Sequence, residues 1–214
     1  MCGHRQGCGC GCNRLHTDFC PAGRGHADGL QQQHARQHHR CPAEHPDQPR
    51  LLRCAALQTA APLLLTGEST RFIVSEQLHE IGADDATLVL EPVQRGTAPA
   101  LCSAALKLVQ EHGDALMLVL PSDHVVRDAA AFTGAVEVAA RSAAEGLLMT
   151  FGIPPRSPET GFGYLQAGAA LAGGVRRIQG FIEKPDRKTA ARLVDGGDCY
   201  WNSGMFVFRC QQLI

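Results

Sequence analysis

The chain predicts an α/β fold with a mostly parallel, doubly wound sheet, and three observations carry that prediction. Short apolar runs rich in Leu and Val recur at residues 62–65, 87–90, 115–120 and 147–153. Longer amphipathic stretches separate them, and Gly, Pro or polar turn residues bound each run. Strands apolar throughout are buried on both faces, and helices between them carry the chain back to the same sheet edge, so that the strands run in parallel.

Each element follows from its own pattern. Residues 62–65 read as the first strand, and residues 70–81 as a helix ended by Gly82, with Phe72, Ile73, Gln77, Leu78 and Ile81 at helical spacing. Residues 87–90 are a second strand stopped near Pro92, and residues 98–111 a helix burying Leu101, Ala105, Leu108 and Val109. A third strand, residues 115–120, stops at Pro121. The helix at 129–144 turns Phe132, Val136, Ala139 and Ala140 inward and stops at Gly146, and residues 147–153 are a fourth strand. After Gly163 the strands shorten to residues 164–166 and 175–182, then come a helix at 186–194 and a last strand at 204–208.

Residues 1–54 have a different character. The first fifty hold six of the ten cysteines and seven of the ten histidines, with no Val, Ile or Lys. Leu15, Phe19 and Leu30 show no period, so this tract cannot offset its own ordering entropy and is expected to be disordered. Cys8, Cys10 and Cys12, followed by His34, His38 and His39, invite a metal-binding reading. Structural zinc sites repeat a pair of ligands two to four residues apart, and no Cys-x-x-Cys pair occurs, so compositional bias is the favoured account.

Residues 55–214 form the folded part, long enough for one core. Of the 20 basic and 21 acidic side chains, six and four fall in residues 1–50, so residues 51–214 carry a formal net of −3. That balance, without a basic patch, argues against a nucleic-acid partner. No apolar run is suited to a signal peptide or membrane span, and the remaining cysteines (Cys54, Cys102, Cys199, Cys210) are widely spaced. Both features fit a cytoplasmic protein with no membrane partner. The oligomeric state is not legible.

In parallel α/β sheets ligands gather at the carboxyl ends of the strands. Asp123 follows the third strand and Pro121, where a carboxylate can ligate Mg²⁺ bridging substrate phosphates or can cap the next turn. His124 beside it reads as a supporting residue. Residues 91–100 put Arg95 and Thr97 ahead of a helix, whose N-terminal N–H groups suit an anion or a nucleobase edge; alternatively Thr97 is the N-cap. Gly161 and Gly163 flank Phe162 and either let backbone approach a ligand or start an ordinary hairpin. Glu183 and Lys184, with the polar turn at Asn202, Ser203 and Gly204, suit a sugar phosphate: the carboxylate accepts from hydroxyls and the ammonium neutralises phosphate. A strand-end ion pair and a plain turn are the bland alternative.

Seven segments in this order, residues 71–78, 91–100, 121–124, 150–153, 159–165, 181–186 and 200–206, resemble bacterial mannose-1-phosphate guanylyltransferases of the type often fused to a mannose-6-phosphate isomerase domain. The resemblance covers roughly residues 57–208, and residues 91–100 with 201–206 favour the mannose and GTP branch. It implies a Rossmann-like nucleotide-sugar transferase sheet and transfer between GTP and mannose 1-phosphate, giving GDP-mannose and pyrophosphate for polysaccharide biosynthesis. By resemblance Asp123 would hold Mg²⁺ and Lys184 would neutralise the sugar phosphate. Glu183, Asn202 and Gly161 would orient the sugar, and Glu91, Arg95 and Thr97 would lie near guanine and ribose.

The chain also departs from that pattern. Residues 1–56 contain no Gly-Gly-x-Gly-x-Arg loop, Gln94 and Gly96 stand where Gly and Asn are expected, and the chain stops at Ile214, before the later aspartate expected as a second metal ligand and without an isomerase domain. The expectation is therefore an incomplete nucleotidyltransferase domain preceded by a low-complexity or frame-shifted tract, with turnover well below that of a complete enzyme. An inactive fragment or sugar-phosphate-binding remnant is the alternative.

Overall fold

The computed structural model describes residue 57 and residues 59–93, 95–124 and 126–214. The expected boundary at 54/55, and the cysteines and histidines weighed as metal ligands, lie outside the described residues. Strand β1 (Leu63–Gly67) leads through a 3₁₀ turn, Glu68–Thr70, into helix α1 (Arg71–Glu80). Strand β2 (Thr87–Glu91), helix α2 (Thr97–His112), strand β3 (Leu116–Val119), helix α3 (Ala129–Ala144) and strand β4 (Met149–Ile153) follow. The chain continues through β5 (Tyr164–Ala170), β6 (Arg176–Ile182), α4 (Arg187–Gly196) and β7 (Cys199–Arg209).

Local chemistry sets several of these ends. Asp128 accepts the Ala131 N–H at 2.9 Å and Asp186 the Thr189 N–H at 2.7 Å, capping α3 and α4. Gly197, at φ +76°, closes α4 in the left-handed conformation that glycine adopts without a Cβ penalty. Along α1 the inward stripe differs from the expected one. Leu78 is buried, but Phe72 is 72% exposed and Ile73 also faces solvent. Val74, Gln77, Leu78 and Ile81 form the half-buried face instead, and Phe72 lies under the Arg71 guanidinium, 4.5 Å from its ring centre. Two adjacent apolar residues fit several helical stripes, and only packing selects one.

The strands form a parallel pair, β1 with β2, and a five-stranded sheet in which β3, β4 and β5 each pair antiparallel with β7 and β6 pairs with β5. The α/β class holds. The pairing direction differs from the expected one because apolar runs report burial on both faces, not which strand lies alongside. β3 and β4 run parallel to each other, as expected of strands joined by a helical crossover, yet both bond to the late strand β7.

β7 is also longer than expected. The stretch Asn202–Gly204, anticipated as a polar turn, lies inside the strand as a bulge: Thr150 pairs with Phe206 and Gly152 with Asn202, so two residues on β4 span four on β7. Gly204 at φ +68° supplies the left-handed residue that such a bulge needs.

Three apolar clusters surround β7. Helix α3 packs Phe132, Val136, Ala139 and Ala143 on Phe151, Met205 and Val207. Helix α2 packs Ala104 and Ala105 on Met117 and Phe208, with Leu63 and Leu65 of β1 alongside. Successive strand residues point to opposite faces, so Val207 and Phe208 enter different clusters, and α3 and α2 cover opposite faces of the sheet. The third cluster joins Ile153, Tyr164, Ala190, Cys199 and Trp201.

Candidate functional site

The loop at Phe162 and Gly163 draws the separate motifs together. The Phe162 carbonyl accepts the Lys184 N–H at 3.2 Å, and the Gly163 carbonyl accepts the Asn202 N–H at 2.8 Å. Two adjacent peptide carbonyls thus hold the Glu183–Lys184 turn after β6 and the Asn202 bulge of β7. A Cβ at Gly163 would sit 2.7 Å from Phe181 Cζ and 2.8 Å from Glu183 Oε2. Gly163 is the glycine these side chains close over; at Gly161, which is exposed, an added Cβ would meet nothing within 4 Å. Below the loop, the fully buried Tyr164 donates its hydroxyl to the Glu159 carbonyl at 2.8 Å, fixing the start of the turn.

Lys184 has a positive φ, +43°, and is the one non-glycine residue with this conformation among the described residues. Such a conformation costs about a kilocalorie or more for a residue with a Cβ and persists where surrounding contacts over-determine it. Here the bond to Phe162 holds it. Its Nζ lies 3.7 Å from Glu183 Oε1, and both side chains are largely exposed, leaving the ammonium open to an anionic ligand.

On β7 the Asn202 Oδ1 accepts the Gly204 N–H at 3.3 Å. A backbone N–H can only donate, so this contact assigns the amide oxygen and turns the two amide N–H donors away from it. Thr150 supports the same bulge: its hydroxyl donates to the Met205 carbonyl at 2.9 Å and lies 3.4 Å from Asn202 Oδ1. Asn202, Ser203, Trp201, Phe162, Ile153 and His124 line one small cavity of about 20 Å³. Phe162 and Trp201 meet edge to face, ring centres 5.1 Å apart. Cys199, near the base of this strand, has its thiol pushed up by burial and then by Asp198, so it stays a protonated, inert side chain.

Asp123 lies in the turn after β3 with its carboxylate exposed, 3.8 Å from His124 Nε2, while the His124 ring is mostly buried against the cavity. Pro121 of the same turn comes within 3.5 Å of where a Gly204 Cβ would be, tying the Asp123 turn to the bulge. Among the described residues, no group of three or more His, Cys, Asp or Glu side chains could hold a metal by itself.

Glu91, Arg95 and Thr97 belong to a second region. Glu91 ends β2, and with Val89, Arg95, Pro99 and Ser103 it borders an open cavity of about 130 Å³ at the start of α2. Thr97 is the first residue of α2 and not its cap. Gly96, at φ +90°, occupies the cap position with no side-chain bond, because that backbone geometry favours glycine over a capping hydroxyl.

Glu183, Lys184, Gly161 and Asn202 therefore lie in or beside the Phe162–Gly163 loop, Asp123 lies in the turn whose Pro121 adjoins Gly204, and residues flanking the start of α2 line another concavity. Sequence reasoning missed Ile153, Phe162 and Trp201 as wall residues and Thr150 as a support of the bulge, and gave His124 only a supporting role. Their signal was faint: one hydroxyl in a strand and two aromatics whose partners lie far apart in sequence.

A family model for nucleotidyl transferases matches residues 48–213. The chain is 48% identical over 163 residues to the xanthan biosynthesis protein XanB of Xanthomonas campestris pv. campestris, covering 76% of this chain and 34% of that protein. It is 41% identical over 167 residues to a mannose-1-phosphate guanylyltransferase of Escherichia coli, covering 77% of this chain and 36% of that protein. A crystal structure described as mannose-1-phosphate geranyltransferase from Thermus thermophilus superposes with a TM-score of 0.66 at 32% identity, over 76% of this chain and 47% of that one. The chain spans about a third of the length of the curated relatives it matches. With the sheet, the loop and these matches in agreement, the chain belongs to the nucleotidyl transferase family.

Proposed function

We propose that this chain carries the sugar-phosphate half of a mannose-1-phosphate guanylyltransferase site. The observation that carries the reading is the pair of bonds that the Lys184 and Asn202 backbone N–H groups donate to the Phe162 and Gly163 carbonyls, which brings a residue with a cationic side chain and one with an amide side chain to one loop. In the reaction, a phosphate oxygen of mannose 1-phosphate attacks the α-phosphorus of GTP, the bond to the β-phosphate oxygen breaks, and GDP-mannose and pyrophosphate form. Such chemistry rests on positioning and charge neutralisation. Lys184 neutralises the sugar phosphate; Glu183 accepts from sugar hydroxyls and Asn202 donates to them, with the Gly161 backbone alongside. Glu91, Arg95 and Thr97 face guanine and ribose; the cavity that Glu91 and Arg95 line at the start of α2 supports the first two.

Asp123 is the residue that would hold Mg²⁺. Its exposed carboxylate offers the hard oxygen that magnesium prefers, and substrate phosphates and water would complete the shell. The ion supplies neutralisation of phosphate charge when bound. GDP-mannose made in this way serves polysaccharide assembly in the cytoplasm. The free thiols of Cys102, Cys199 and Cys210 support that setting.

Calorimetric titration with mannose 1-phosphate tests the reading without depending on the triphosphate. Saturable binding is expected, and Lys184→Met should weaken it at least about tenfold, since a charged contact is lost. Mass spectrometry of GDP-mannose formed from GTP and mannose 1-phosphate then separates turnover from binding alone. No binding, or binding indifferent to Lys184, would sink the proposal.

A further inference from the structure

Phe181 is an exposed aromatic ring on the strand that leads to Glu183. Ile182, Tyr164 and Trp201 turn into the third apolar cluster, so alternation along the strands puts Phe181 and Glu183, Gly163 and Leu165, and Tyr200 and Asn202 on the opposite face. The pairing register sets Phe181 and Tyr200 on either side of Leu165, in one row across β6, β5 and β7. Glu183 and Asn202 flank Gly163 in the next row. Leu165, Phe181 and Tyr200 belong to none of the three clusters, and Phe181 is 52% exposed. Phe72, the other strongly exposed phenylalanine among the described residues, lies under the Arg71 guanidinium; among those residues no cation or ring stacks on Phe181.

The ring also has a direction. A Cβ at Gly163 would lie 2.7 Å from Phe181 Cζ and 2.8 Å from both Phe181 Cε2 and Glu183 Oε2, so the ring edge and the carboxylate meet above one glycine. A pyranose offers the matching pair of surfaces, hydroxyls around its rim and a face of C–H groups. The hydroxyls need acceptors such as a carboxylate. The C–H groups suit the electron-rich face of an aromatic ring, and that contact removes apolar surface from water on both sides. From this we infer that the sugar ring of the bound sugar phosphate lies with one C–H face against Phe181 while its hydroxyls meet Glu183. Phe181 is then a binding residue that sets the tilt of the sugar and leaves the next cation along the chain, Lys184, to the phosphate. The inference rests on the sugar-phosphate reading above.

The experiment titrates mannose 1-phosphate into the full chain and into its Phe181→Leu and Phe181→Tyr variants, following affinity by calorimetry and the sugar protons by NMR. Leucine keeps apolar bulk without the ring, and tyrosine keeps the ring. The position is exposed enough that both variants should fold as the parent does, which thermal unfolding checks. Phe181→Leu is expected to bind about fivefold more weakly, and Phe181→Tyr within about twofold of the parent. Protons held over an aromatic ring resonate upfield. On binding, the C–H protons of one sugar face should shift upfield in the parent and in Phe181→Tyr, and that shift should be lost in Phe181→Leu. Equal affinity in all three proteins, equal weakening in both variants, or an upfield shift that survives in Phe181→Leu overturns the Phe181 inference while the sugar-phosphate reading stands. If calorimetry detects no mannose 1-phosphate binding to the unmodified chain, both fall.

Discussion

Asp114 illustrates how a single side chain can join distant parts of the chain and set a pH dependence. Its carboxylate accepts the Gln211 N–H at 3.1 Å and the Arg209 Nε–H at 2.7 Å, and Arg209 also donates to the Ala144 carbonyl at 3.2 Å. The bond from Gln211, then that from Arg209, holds the Asp114 carboxyl below its ordinary value of 3.8. A carboxyl depressed in the folded state contributes stability above the unfolded value and loses it as pH falls through the folded value. Asp114→Asn should therefore be less stable than the parent near neutral pH, with the gap narrowing below about pH 4. Urea midpoints across pH 2.5–7 would check this, and a gap independent of pH would refute it. The constraint on Lys184 acts at the same scale, fixing backbone direction where the proposed ligand arrives.

Between elements, the glycine loop ahead of β5 decides the site more than any one strand does. The missing side chain at Gly163 lets Phe181 and Glu183 close over it. The atoms an added Cβ would meet, a ring edge and a carboxylate oxygen, are the far ends of side chains, and Phe181 is about half exposed. Gly163→Ala should therefore cost little stability, roughly 1 kcal/mol or less, as these ends swing away. It should still displace the Glu183 carboxylate and weaken mannose 1-phosphate binding by about tenfold or more. Thermal unfolding and calorimetry on the same sample separate the two effects. A large loss of stability with unchanged affinity would contradict this account of the loop.

For the whole molecule, β7 is the organising strand. It pairs with β3, β4 and β5, and its residues enter all three apolar clusters. The two-stranded sheet joins the same core through α2, where Leu63 and Leu65 pack with Met117 and Phe208. A cavity cut into this strand should be felt across the fold. Met205 is fully buried against α3, so Met205→Ala should cost about 2–5 kcal/mol, read as a lowered denaturant midpoint by Trp201 emission. A cost under about 1 kcal/mol would mean that β7 is not the packing centre described.

Much of this was legible from sequence. The helix at residues 129–144 has the bounds its apolar period predicts, and the helix expected at 186–194 forms at Arg187–Gly196, with Asp186 as its cap. The α/β class, the breaks at Pro121 and Gly146, and the residue types of the site likewise follow from local pattern, because short-range sterics and periodicity are written into neighbouring residues. Strand neighbours are not. Whether β3 lies beside a parallel or an antiparallel partner depends on where a strand some ninety residues later settles, and an apolar run is equally satisfied by either. The bulge at Gly204, the bonds that Lys184 and Asn202 donate to Phe162 and Gly163, and the closing of Phe181 and Glu183 over Gly163 are all contacts between segments far apart in sequence. Residue types alone determined what chemistry this chain could offer; only the tertiary structure decided which donors and charges face the same space, because that depends on packing across the sheet.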